Sequence, residues 1–157
     1  MWAIGDKKSS PSDDDNFTFH SSIKVNIDIQ KDFNISATAT RQEGSSNYGF
    51  GINYCGDTEA DQYAVFYISA NGFYSIRSWE KDHWKVYTDW TPSAAIHTGS
   101  DMNTLLVEKR GEEIHFFIND KLVQALPFTG GYGNYFGFRV DGGQTVAFDQ
   151  LLIKGHL

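Results

Sequence analysis

The chain has 157 residues, which suits one domain built round a single sizeable core. Its 13 Lys and Arg stand against 20 Asp and Glu, a formal net charge of -7. Such a surface repels phosphate backbones, so nucleic acid is excluded as a partner and anionic membrane is disfavoured.

The chain opens on Met1-Trp2-Ala3-Ile4-Gly5, which reads as a strand with no basic-then-apolar leader before it. We expect the natural chain to continue upstream, the domain being one module of a larger protein. Residues 6–15 are polar, carry Pro11 and end in Asp13-Asp14-Asp15; a solvated turn is favoured there over a cation site. From Phe17 onward apolar residues recur at every second position. Phe17, Phe19, Ile23, Val25, Ile27 and Ile29 form a half-buried strand, or a strand pair broken near Ser21-Ser22. Phe33 to Ala39 and Tyr48 to Tyr54 alternate in the same way.

Hairpin signals follow. Asn71-Gly72 lies between Tyr63–Ser69 and Phe73–Trp79, and Lys81-Asp82 precedes Trp84–Trp90. Arg110-Gly111 and Asn119-Asp120 turn the next strands, and Asp141-Gly142-Gly143 joins Tyr135–Val140 to Thr145–Ile153. This makes about eleven strands at short spacing, an all-β sandwich or barrel. Ser93 to Ile96 has room for one helical turn, no stretch has a 3.6-residue period, and no apolar run is long enough for a membrane-spanning helix.

Catalytic apparatus is hard to assemble from these residues. A glycosidase needs two carboxyl groups about 5–9.5 Å apart. Asp57-Thr58-Glu59-Ala60-Asp61 is the nearest candidate, but it sits in a loop, where a solvated turn or a weak calcium site is favoured. Glu112 and Glu113 are adjacent and point to opposite faces of a strand. His20, His83, His97, His115 and His156 show no zinc spacing or nucleophile elbow. Cys55 is the only cysteine, which excludes an internal disulfide and a thiolate zinc cluster. Gly130-Gly131-Tyr132-Gly133 lacks the Lys and Ser/Thr of a phosphate loop.

Aromatic stacking remains. The sequence has 12 Phe, 8 Tyr and 4 Trp, and Gln62–Ile68 carries apolar side chains on both faces. Sugars offer C–H faces to rings and hydroxyls to polar groups. With Tyr74, Ile76, Trp84, Val86, Phe136, Phe138 and Val140 assigned to the core, Arg77, Trp79, Tyr87 and Arg139 face outward as a candidate sugar platform. The alternative is that loops, or the rest of a larger protein, cover them.

The order of motifs resembles the concanavalin A-like lectin/glucanase superfamily, nearest to its noncatalytic and 3-keto-disaccharide hydrolase branch. The likeness is carried by Trp2–Asp6, Tyr48–Ile52, Tyr63–Ser69 with Asn71–Tyr74, Trp84 and Trp90, Asn103–Val107, Phe116–Asn119, Phe136–Val140 and Val146–Asp149. The resemblance implies a jelly roll of two antiparallel sheets, one concave and sugar-bearing, appended to other domains of an exported or surface bacterial protein. An extracytoplasmic location follows as an expectation. It implies no cofactor, with structural calcium allowed near Asp149. The Glu-x-Asp-x-x-Glu string of glycoside hydrolase family sixteen is missing. Three readings stay open: a noncatalytic module binding a poly- or disaccharide, an accessory protein-interaction domain, and a sugar hydrolase relying on Asp61, Glu80 or Asp89.

Overall fold

Period-two alternation across turn-rich boundaries produces β-strands that bury one face each. The computed structural model describes residues 2–4, 18–129 and 131–157. The polar stretch 6–15 with its three aspartates, and Phe17, lie outside the described residues. Among the described residues there are twelve strands: β1 (Trp2–Ile4), β2 (Thr18–Lys24), β3 (Phe33–Gly44), β4 (Gly49–Asp57), β5 (Gln62–Ser69), β6 (Phe73–Glu80), β7 (His83–Pro92), β8 (Asn103–Arg110), β9 (Glu113–Ile118), β10 (Lys121–Pro127), β11 (Tyr135–Asp141) and β12 (Gln144–Lys154).

They form two antiparallel six-stranded sheets. The first runs β1-β12-β3-β8-β9-β10 and the second β2-β11-β4-β5-β6-β7. The expected all-β, two-sheet sandwich is therefore present. No helix among the described residues is long and apolar enough to cross a membrane.

The core lies between the sheets. Leu105 and Val107 of β8 meet Ala64, Phe66 and Ile68 of β5 in one buried cluster. Phe138 of β11 stacks on Phe148 of β12 at 4.1 Å between ring centroids, and Phe66 packs edge-on to Phe116 at 5.1 Å. Such rings bury large apolar areas and hold the two layers face to face. Lys109 is 4% exposed. Its ammonium donates to the carbonyls of Gln30 and Gly111 at 2.8 Å each, which supplies the hydrogen bonds a buried charge needs.

Three local expectations change. β2 continues through Ser21-Ser22, and the chain leaves the sheet after Lys24. Val25, Ile27 and Ile29 then pack half-buried against the core without a strand ladder, because Val25 bonds Asn134 and Asp28 bonds His156 instead. Asp141-Gly142-Gly143 does not make a hairpin: β11 and β12 belong to different sheets. The crossing is tied by Gln144, whose side-chain amide donates to the carbonyls of Asp141, Gly49 and Tyr48. Ser93–Ile96 is a single turn closed by one backbone bond of 3.3 Å.

Candidate functional site

The second sheet has an inner face in the core and an outer face that carries most of the remaining aromatic side chains. On β5, Ala64, Phe66 and Ile68 point inward, so Tyr63 and Tyr67 point out. On β6, Tyr74 and Ile76 are core, so Arg77 and Trp79 point out as expected. On β11, Phe136, Phe138 and Val140 are core, and Arg139 points out, also as expected.

On β7 the faces differ from the expectation. The two-residue turn pairs Glu80 with His83 and Trp79 with Trp84. Residues directly opposite in an antiparallel pair share a face. Trp84 and Val86 therefore lie with Trp79 on the outer face, and Val86 is 46% exposed. Tyr87 points inward, packs against the core and shares a 3.3 Å hydroxyl contact with Ser78. The structure thus brings Arg77, Trp79 and Arg139 to one face and leaves Tyr87 on the other. The turn pairing and alternation put Tyr87 inward; beyond it two register shifts between β6 and β7 change the phase and leave Asp89 and Trp90 opposite Ser75.

The outer face is concave. A methyl group at Gly51 would lie 2.3 Å from the Phe66 carbonyl oxygen, and one at Gly137 would lie 1.8 Å from that of Ser21. In both places the neighbouring strand's backbone rides over the outer face, which only glycine permits. The same curl lets Trp84 of β7 reach Arg139 of β11, whose guanidinium is 4.9 Å from the indole centroid. Three strands separate them in the sheet order. On a flat sheet that is about 19 Å of backbone separation, too far for such contact.

Two arginine–aromatic clusters fill this concavity. Arg139 is 6% exposed and donates to Asp141 at 2.9 Å, the Tyr63 hydroxyl at 2.8 Å and the Thr18 hydroxyl at 3.2 Å. Burial opposes its charge, but Asp141 and Tyr63 outweigh that and raise its pKa. Above it, Trp84 packs edge-on to Trp79 at 5.2 Å and to Tyr63 at 6.2 Å. The Trp79 indole N–H donates to Asp61 at 3.0 Å. In the second cluster Arg77 bonds Asp89 at 2.6 Å and Ser75 at 2.9 Å, with its guanidinium 5.8 Å from the Trp90 ring. Trp90 in turn packs on Tyr67 at 4.7 Å. Burial pushes the Tyr67 hydroxyl up to about 12, so both tyrosines stay neutral at physiological pH.

His20 stands beside Tyr63 at 5.7 Å between rings. Burial first, and Arg139 second, lower its pKa from the usual 6.5, against the opposite pull of Asp61 and Asp141. The unfolded chain therefore takes up this proton more readily than the folded one. Stability from this group is fully present above pH 6.5 and is lost as the pH falls from there through the lowered folded value. We expect His20→Gln to flatten the acid-side decline of the urea midpoint. An identical decline in wild type and variant would show that the imidazole is not held neutral.

The carboxylates that a hydrolase would need are already engaged. Asp61 accepts from Trp79, Asp89 from Arg77, and Glu80 from the Tyr132 hydroxyl at 2.8 Å. Asp57 caps its own loop through the Glu59 and Ala60 amides. Asp149 accepts from the Gln150 amide at 2.7 Å. Among the described residues no group of three or more His, Cys, Asp or Glu is placed to hold a metal ion.

The fold is a two-sheet, concanavalin A-like jelly-roll sandwich. Among solved structures it is similar to the carbohydrate-binding module CBM66 from Bacillus subtilis, with a TM-score of 0.68 and 16% identity over 98% of this chain and 95% of that one. It is also similar to sheep galectin-11, with a TM-score of 0.63 and 11% identity over 87% of this chain and 96% of that one. A galectin of Caenorhabditis elegans gives 0.60 and 16% identity over 96% and 95% of the two chains. No protein-family model matches the chain, and a search of curated proteins finds no match.

Proposed function

We propose that this domain is a noncatalytic, lectin-like carbohydrate-binding module that receives a poly- or disaccharide on the concave face of its second sheet. The observation that carries the reading is the gathering of Tyr63, Tyr67, Trp79, Trp84 and Trp90 with Arg77 and Arg139 on that face. Partly exposed indoles offer flat apolar surfaces to the C–H faces of pyranose or furanose rings, Arg77 and Asp89 meet hydroxyls at the edges, and Arg139 supports the rings from beneath. The structural neighbours that cover nearly the whole chain include a carbohydrate-binding module and galectins, which supports the same reading. The hydrolase alternative of the 3-keto-disaccharide type has less support, because Asp61, Glu80 and Asp89 serve as partners for Trp79, Tyr132 and Arg77. An accessory protein-interaction role would draw on exposed apolar residues; apart from the adjacent Leu151 and Leu152 of β12, these lie apart, at Ile23, Val86, Met102, Leu122 and Leu157. An exported or surface parent protein with further domains is the setting that best fits a module of this kind.

Affinity electrophoresis through gels containing neutral polysaccharides tests the proposal. Wild type is expected to be retarded by at least one of them. Trp84→Ala and Trp90→Ala should weaken the interaction roughly thirtyfold, the effect of losing an aromatic anchor worth about 2 kcal/mol. Free migration of wild type in every gel, or retardation that both variants retain in full, removes the proposal.

A further inference from the structure

Beyond Tyr63 the concave face ends in a small cavity of about 100 Å³. Its walls include His20 and Ser22 from β2, Asn53 and Asp57 from β4, Asp61 from the β4–β5 loop, and Tyr63 from β5. None of the sugar-stacking argument uses Asn53, yet its state is unusual. It is 4% exposed, and its side-chain oxygen is buried without a hydrogen-bond partner. Its amide nitrogen has only a long 3.4 Å bond to the Phe138 carbonyl. Buried polar atoms are ordinarily satisfied, so an orphaned acceptor on a cavity wall marks a place where a donor belongs.

The rest of the lining narrows what that donor is. Asp57 and Asp61 are acceptors with capacity beyond the bonds they already make, and they oppose any anionic group. Burial and the nearby Arg139 disfavour the charged form of His20, against the opposite pull of Asp61 and Asp141. A neutral imidazole keeps one nitrogen as an acceptor. The cavity is therefore rich in acceptors and closed to anions. Groups that only accept, such as a carboxylate or a methyl ether, find few partners here. A hydroxyl finds several.

We infer that this cavity is the specificity subsite of the concave face, taking a neutral, unsubstituted hydroxyl-bearing end of the sugar, whose O–H donates to the Asn53 side-chain oxygen. This rests on the carbohydrate reading above and adds to it which sugars are admitted. Uronates and sugars O-methylated at the inserted end are excluded.

A glycan array carrying neutral, uronate-terminated, O-methylated and N-acetylated oligosaccharides tests this on the intact domain. Wild type, Trp84→Ala, Asn53→Leu and Ser22→Leu are compared, each checked for a native melting transition. Ser22 is exposed, so leucine there narrows the cavity without disturbing the core. Wild type is expected to bind neutral glycans at least tenfold more tightly than their uronate or O-methylated counterparts, and both leucine variants should lose about that factor. Equal binding of neutral and uronate glycans overturns the inference. So does Ser22→Leu binding as wild type while Trp84→Ala fails, an outcome that leaves the aromatic face standing as a sugar site. Silence of wild type on every glycan overturns the inference and the carbohydrate reading together.

Discussion

Replacing Arg139 by alanine is expected to destabilise the domain by about 3–4 kcal/mol, toward the lower end for breaking a buried ion pair, because the Asp141 side chain is 20% exposed and keeps a hydrogen bond from the Thr18 hydroxyl. The guanidinium is 6% exposed and makes three hydrogen bonds, to Asp141, Tyr63 and Thr18. Removing it takes the cation from the Asp141 carboxylate, which keeps the Thr18 hydroxyl as a donor, and takes a donor from the Tyr63 hydroxyl. It also withdraws the cation beneath Trp84, 4.9 Å from the ring. Arg139→Lys should recover little, because one ammonium cannot supply a planar fork to three partners on different strands. Combining Arg139→Ala with Asp141→Asn should cost less than the sum of the two single changes, since the second removes the stranded charge. Urea unfolding of the four proteins measures this. A loss under about 1 kcal/mol for Arg139→Ala would place the pair in the class of exposed ion pairs and contradict its burial.

Gly51→Ala should be nearly as damaging, by about 3 kcal/mol, at the upper end for overpacking because backbone rather than a flexible side chain must yield. The added methyl meets the Phe66 carbonyl oxygen at 2.3 Å and the Tyr67 Cα at 2.6 Å. Relief requires β5 to lift from β4, which flattens the sheet. Flattening draws Trp84 and Arg139 apart, so near-ultraviolet circular dichroism from the tryptophans should weaken along with the melting temperature. Gly137→Ala acts on the other flank by the same means, where the methyl would fall 1.8 Å from the Ser21 carbonyl oxygen. If either variant melts with wild type and keeps its aromatic signal, the concavity is not set by these two positions.

Much of the architecture was legible in the sequence because strand alternation and glycine or asparagine turns are local signals. Asn71-Gly72 does close β5 on β6, with Gly72 at φ 99°, and Asn119-Asp120 closes β9 on β10 with both residues at positive φ. The assignment of β11 and β12 as a hairpin failed because a turn sequence reports a reversal and not which sheet the next strand joins. The outward placement of Arg77, Trp79 and Arg139 followed from alternation alone. Trp84 was misplaced for a reason the sequence does contain: a two-residue turn at Lys81-Asp82 sets Trp79 opposite Trp84, so the two must share a face. The inward placement of Tyr87 follows from the same turn by alternation, whereas the later change of phase that turns Asp89 and Trp90 outward was not legible, because bulges depend on what the partner strand offers. Nor was the burial of Arg139, which is created by Trp84 arriving from the far side of a curled sheet.

The measurement that tests the sugar-binding account most directly is a titration of the ¹⁵N-labelled domain with neutral oligosaccharides, read at the tryptophan indole N–H signals. The account predicts saturable shifts of the Trp79, Trp84 and Trp90 signals, with the signals of core amides such as those of Leu105 and Val107 staying in place. Constant indole signals throughout the titration, or binding whose shifts cluster on the first sheet instead, would contradict it.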